Sequence, residues 1–188
     1  MTQPDFWSRP PGVLSNLLSP ASAVFRLLGI LQSQIAFPDK MEVPVVCIGN
    51  VNVGGTGKTP TALAIADRLK HSGMDVHFLT RGYRGRLPGP LRVDLSHHDA
   101  GDVGDEPMLL AAHSPTWISK NRAAGAAEAV RDGANIIIMD DGFQNPHIQK
   151  DLSVVVIDGE SGFGNGRVMP AGPLREPVMR GLGRADLA

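Results

Sequence analysis

The feature that most constrains this chain is an apolar strand that runs straight into a glycine-rich turn. Val43-Pro-Val-Val-Cys-Ile-Gly49 is followed by Asn50-Val-Asn52 and then by Val53-Gly-Gly-Thr-Gly-Lys-Thr-Pro60. A strand, a glycine turn and a helix opening on Lys-Thr is the layout of a loop that wraps the phosphates of a nucleoside triphosphate. Glycine is required there because the backbone turns through conformations a Cβ obstructs, and because its N–H groups must reach phosphate oxygens. Asn52, Val53, Gly54, Gly55, Thr56 and Gly57 form the loop, with Asn52 standing where the usual pattern has its first glycine. Lys58 supplies a point charge for the β and γ phosphates, and Thr59 a hydroxyl for magnesium.

The rest of the chain alternates strand and helix signals. Pro60 to Leu69 carries a helical apolar face and stops at Gly73, Asp75 to Thr80 reads as a strand, and a short strand occupies Leu91 to Asp94. Pro107 to His113 begins a helix, Pro115 to Ser119 reads as a strand, and the alanine-rich Asn121 to Asp132 is a helix ended by Gly133. Asn135 to Met139 is a fully apolar strand, and Leu152 to Ile157 is another. Continuous apolar strands between helices imply an α/β fold of the P-loop NTPase kind, with a mostly parallel sheet covered by helices on both faces. The Gly-, Pro- and Arg-rich stretch from Gly159 to Arg184 reads as irregular, and Arg184-Ala-Asp-Leu-Ala188 as the opening of a further strand, which suggests an incomplete protein.

With 188 residues, 42% hydrophobic and 20% charged, the chain can bury one good core. A net charge of -1 argues against a general nucleic-acid binder. The single cysteine, Cys47, falls in a buried strand, so it reads as core packing in a reducing compartment. Residues 1–40 form a separate N-terminal segment ahead of a core domain at 41–188. From Gly12 to Phe37 its only charge is Arg26, and Pro20 interrupts an apolar pattern too short to span a bilayer. Two readings follow from the pattern: a helix in a membrane interface, or one packed on the domain's own core.

Phosphoryl transfer needs positioned phosphates, neutralised charge and a group that orients or deprotonates the nucleophile. Asp140 and Asp141 end an apolar strand, which places them at the carboxyl edge of a parallel sheet, where one of them can hold magnesium directly or through water. The alternative is a polar turn closing a buried strand. Asp105 and Glu106 stand at a helix start, where they are a base, a magnesium site or simple caps. Arg81, Arg84 and Arg86 follow the second strand and suit either a phosphate clamp or a solvated basic loop. The six histidines show no metal-ligand spacing, which argues against zinc.

Taken together, five segments resemble one family, the tetraacyldisaccharide 4'-kinases of lipid A biosynthesis. They are Gly49 to Pro60, Arg81-Gly-Tyr-Arg-Gly85, Gly104-Asp-Glu-Pro107, Asp140-Asp-Gly-Phe-Gln144, and Phe163-Gly-Asn-Gly-Arg-Val-Met-Pro-Ala-Gly-Pro-Leu-Arg-Glu-Pro177. The resemblance implies a kinase that moves the γ-phosphate of ATP, with Mg²⁺, to the 4'-hydroxyl of a lipid A disaccharide 1-phosphate, giving lipid IVA. It further implies a peripheral enzyme on the cytoplasmic face of the bacterial inner membrane, with no obligate protein partner. It favours the interfacial reading of the N-terminal helix, and the family's own loop lacks the first glycine. By motif it makes Lys58 and Thr59 phosphate and Mg²⁺ ligands, Asp105 the base, Glu106 its acidic neighbour, and Asp140 and Asp141 the metal-side pair. Gln144, Arg175 and Glu176 carry over as site residues. Asn145 replaces a histidine common in the family. The family also continues into a smaller lid-like domain that supplies a histidine partner for the aspartate, so these 188 residues are expected to bind nucleotide and turn over poorly by themselves. A P-loop ATPase, a regulatory GTPase and a non-catalytic membrane-attached nucleotide-binding module are the competing readings. The lysine of the partitioning ATPases is replaced by Val53, and no Asn-Lys-x-Asp guanine motif occurs.

Overall fold

In the computed structural model, which describes residues 3–188, six strands form one sheet. Met1 and Thr2, the start of the expected 1–40 segment, lie outside the described residues. The strands are β1 (Val45–Gly49), β2 (Val76–Thr80), β3 (Leu91–Arg92), β4 (Thr116–Ile118), β5 (Ile136–Asp140) and β6 (Leu152–Val155), in the order β3-β4-β2-β5-β1-β6. β5 pairs in parallel with β1 and β2, β2 pairs in parallel with β4, and the two-residue β3 is antiparallel to β4. Every residue of β1, β2 and β5 is buried. Successive strand residues face opposite sides, so unbroken burial means that both faces are covered, as the continuous apolar runs anticipate.

The helices are α1 (Val13–Leu17), α2 (Ser19–Ile35), α3 (Lys58–His71), α4 (Ala100–Val103), α5 (Asp105–Ala111), α6 (Arg122–Arg131) and α7 (Val178–Leu182). α3 begins on the loop's own lysine and ends before Gly73, whose φ of 83° suits a residue without a Cβ. The side chain of Asn121 caps α6 by accepting from the Ala124 N–H. Gly125 lets that helix approach β2: a Cβ there would lie 2.7 Å from Leu79 Cδ1. α4 is absent from the sequence expectation; Asp99 and Asp102 cap it reciprocally, an acidic variant of the capping box.

The chain divides into two compact units that interleave in sequence. One unit comprises the N-terminal segment through Ala36 with Asn50–Gly57 and Val154–Ala188; the other comprises Phe37–Gly49 with Lys58–Ser153.

Within the first unit, α1 and α2 turn polar side chains inward. Ser15 and Ser22 are buried, whereas Leu17 is 75% exposed, Leu28 61% and Ile35 73%. The Ser22 hydroxyl donates to the Val168 carbonyl at 2.7 Å and accepts from the Ala171 N–H at 3.1 Å. Arg167 donates to Ser19 Oγ and to Asn16 Oδ1, and Arg180 to Ser33 Oγ. Pro20 sits in the first turn of α2, where its missing N–H costs nothing, and does not interrupt the helix. The apolar residues of α2 thus lie outside the unit's own core. Among the described residues no helix is long and apolar enough to cross a membrane.

Candidate active site

In the first unit the loop is organised by Asn50, which is fully buried. Its side-chain amide donates to the Gly54 carbonyl at 3.3 Å and to Thr56 Oγ1 at 3.0 Å, closing the turn from within. The outer side of the loop is tied to the Gly-Pro-Arg stretch. Val53 N–H donates to the Pro173 carbonyl and Arg175 N–H to the Val51 carbonyl, both at 2.7 Å, while Asn52 Nδ2 donates to the Gly162 carbonyl. Gly54 and Gly57 have φ of 111° and 83°, so the glycines are placed where an L side chain is disfavoured. Asn52 therefore acts as an anchor of the loop's outer edge. Arg175 joins the loop through its backbone, and Glu176 is held by Arg184, whose Nη2 lies 2.6 Å from one carboxylate oxygen.

In the second unit, the remaining predicted residues gather at the carboxyl ends of the strands. Asp140 pairs in register with Ile48, at the end of β1 from which the chain leaves for the loop. Gly49 is obligatory there, because a Cβ would fall 2.3 Å from Phe143 Cβ. Thr59, in the first turn of α3, donates its hydroxyl to Asp140 Oδ2 at 2.9 Å, and Lys58 Nζ lies 3.7 Å from Asp141 Oδ1. Asp141 adopts a φ of 55°, a left-handed conformation that asparagine and aspartate tolerate best after glycine. Asp140 is 1% exposed, and burial pushes its carboxyl up to about 6. The Thr59 hydrogen bond and Lys58 oppose that rise, whereas the charges of Glu106 and Asp141 add to it. Glu106 therefore acts on Asp140 electrostatically. Asp105 and Glu106 open α5 behind Gly104, whose φ is 97°, and both are exposed. Gln144 lies half-buried in the turn after β5.

Asp140 Oδ1 is buried and makes no hydrogen bond. An orphaned carboxylate oxygen beside a threonine hydroxyl is the donor set that a magnesium ion needs from protein when phosphates and waters supply the rest. Among the described residues no three acidic, histidine or cysteine side chains converge as an all-protein metal cage.

Two residues escaped the sequence reading. One is Asn50, whose signal is an amide placed directly after a buried strand. The other is Arg122, 5% exposed, which donates to the Ser119 carbonyl and leaves its Nε without a partner. Burial and the charge of Arg81 push this guanidinium down to about 10, while Asp141 and Asp140 pull the other way. A cation in the first turn of a helix opposes the helix dipole, and that misplacement was the available signal. Of the arginine loop, Arg86 is occupied by Asp102 at 2.5 Å and Arg84 lies over the Tyr83 ring at 5.5 Å. Both serve the loop's own structure. Cys47 is buried with its thiol pushed up to about 12 by burial, as inert packing requires.

Known proteins resemble this chain along most of its length. The family model for tetraacyldisaccharide-1-P 4'-kinase matches residues 14–188. The chain is 54% identical over 190 residues to a tetraacyldisaccharide 4'-kinase of Rhodospirillum centenum, covering 99% of this chain and 56% of the relative. It is 54% identical over 187 residues to that of Jannaschia sp., covering 100% and 57%. The chain thus spans about half the length of the curated relatives it matches. A crystal structure of the "apo" form of LpxK from Aquifex aeolicus in complex with ATP superposes with a TM-score of 0.81 at 31% identity, covering 93% of this chain and 58% of that one. The chain belongs to the tetraacyldisaccharide 4'-kinase family.

Proposed function

We propose that this chain is the nucleotide-binding part of a kinase that moves the γ-phosphate of ATP to the 4'-hydroxyl of a tetraacyldisaccharide 1-phosphate. The observation that carries the reading is the Thr59–Asp140 pair with its orphaned oxygen, on a helix that opens with Lys58. Magnesium, when bound, neutralises phosphate charge at Thr59 and Asp140. Lys58, held by Asp141 at 3.7 Å, moves to the β and γ phosphates. The loop's N–H groups bind the phosphates. Asp105, exposed at the start of α5, takes the proton of the sugar hydroxyl as the new P–O bond forms and ADP leaves. The ATP-bound Aquifex relative supports the cofactor.

A substrate with four acyl chains is carried by a bilayer. The outward stripe of Val24, Leu28, Leu31 and Ile35 suits a helix lying in that surface, which we propose is the cytoplasmic face of the inner membrane.

The test supplies labelled ATP, Mg²⁺ and the lipid disaccharide monophosphate in mixed micelles to the full-length kinase of which these residues are proposed to be the nucleotide-binding part. Label in the lipid above the background of Lys58→Ala supports the kinase. Label only in inorganic phosphate makes the chain an ATPase, and MgATP binding with neither product makes it a non-catalytic module. Asp105→Ala should keep MgATP binding and lose lipid labelling; an unchanged rate removes Asp105 as the base.

A further inference from the structure

Beside the first turns of α2, within the first unit, lies a pocket of about 250 Å³ lined by Ser19, Ser22, Ala23, Arg26, Arg167 and Val168. It is smaller than the cavities that enclose drug-sized ligands, and it fits a compact headgroup. Its serines are already used: Ser19 Oγ donates to the Ser15 carbonyl, and Ser22 Oγ joins Val168 and Ala171. Its arginines are not neutralised. Arg167 bonds only the neutral oxygens of Ser19 and Asn16, and among the described residues neither Arg26 nor Arg167 pairs with a carboxylate.

Two arginines thus line one small cavity with no carboxylate paired to either, and a guanidinium's planar fork matches phosphate oxygens two at a time. The position of Arg26 indicates the source. It is the single charge between Gly12 and Phe37, set among the exposed Val24, Phe25, Leu27 and Leu28. On a helix lying in a bilayer surface, such a residue lays its stem along the acyl boundary and its head at the level of the lipid phosphates.

We propose that this pocket binds the phosphate ester of an anionic lipid headgroup, gripped by Arg26 and Arg167. The inference rests on the reading of α2 as a membrane-surface helix.

The test is sedimentation with vesicles of phosphatidylcholine alone and of phosphatidylcholine mixed with phosphatidylglycerol. Two arginines at about 1 kcal/mol each give the mixed vesicles a preference of roughly 30-fold. Arg26→Gln/Arg167→Gln should abolish that preference and keep the phosphatidylcholine affinity, and Arg9→Gln should leave both intact. Arg26→Gln alone, which removes no bond seen in the structure, should lose part of the preference and covers the case in which the double variant misfolds. Retention of the preference by Arg26→Gln, or an equal loss in Arg9→Gln, overturns the proposal. If wild type binds neither vesicle, the membrane reading of α2 fails, and the pocket is judged by titrating glycerol 3-phosphate against the arginine side-chain NMR signals. Shifts in wild type that vanish in Arg26→Gln then identify a soluble phosphate ester and overturn the lipid assignment. No shift overturns the pocket itself.

Discussion

In β5 the residues Ile136 to Met139 are all buried, and the strand ends on a buried carboxylate; α2 does the reverse, burying Ser22 and presenting Leu28 and Ile35 to solvent. The strand spends its apolar surface inside its own unit, where each fully buried aliphatic side chain contributes on the order of 1.5–3 kcal/mol. The helix is attached by hydroxyl and guanidinium hydrogen bonds, and its apolar surface remains available to a phase outside the protein. On the proposed membrane-surface reading of α2, folding stability and surface affinity are carried by different residues, and substitutions can separate them.

The widest separation comes from one charge placed in each element. Ile138→Asp puts an unpaired carboxylate in a fully buried strand and should cost more than about 4 kcal/mol, leaving no cooperative thermal transition. Leu28→Asp alters an exposed position and should change stability by less than about 0.5 kcal/mol, while weakening vesicle binding at least tenfold. A comparable loss of stability in Leu28→Asp would mean that the stripe is core, and the contrast between the elements would collapse.

The carboxylate at the end of β5 yields the next effect. Its pKa of about 6 stands above the usual 3.8, so between these values the native state holds a proton that the unfolded chain has released. Stability therefore falls as pH rises from about 4 to about 6 and is level beyond, with a loss of up to about 3 kcal/mol. Asp140→Asn should flatten that slope in chemical denaturation and stabilise the metal-free protein at pH 7, yet lose MgATP binding. Unchanged MgATP binding in Asp140→Asn would take the residue out of the site.

The strand side of this contrast was legible in the sequence. Unbroken apolar runs fixed β1, β2 and β5 as two-sided core, and the Lys58-Thr59 and Asp140-Asp141 pairs met as expected because each follows a strand at the same sheet edge. What stayed hidden depends on tertiary partners. Asn50 reads as one more polar residue until Gly54 and Thr56 fold back on it, and Arg122 as an exposed first-turn cation until Ser119 receives it. The interleaved units were also unreadable, because the irregular stretch from Val168 to Arg175 carries no periodicity and bonds the loop through its backbone. Apolar spacing showed that α2 has an apolar face and said nothing about which way it points.

Ser22 is where that direction is set, and it gives the smallest effect and the sharpest one. In Ser22→Ala the helix keeps its propensity and its exposed stripe, since alanine is the better helix former. What is lost is one donor and one acceptor: the Val168 carbonyl and the Ala171 N–H are left without the hydroxyl that served both. Ala171 is fully buried, so water does not replace the bond at its N–H, and the cost should be about 1–3 kcal/mol of unfolding free energy in chemical denaturation. Ser33→Ala removes a bond of the same kind, from Arg180, at an exposed position near the other end of the helix, and should cost less than about 0.5 kcal/mol. If the two substitutions cost the same, α2 is held by its contacts along its whole length. If Ser22 dominates, the helix is pinned at its first turns by polar bonds to residues 168–171, as the proposed membrane-surface reading of α2 requires.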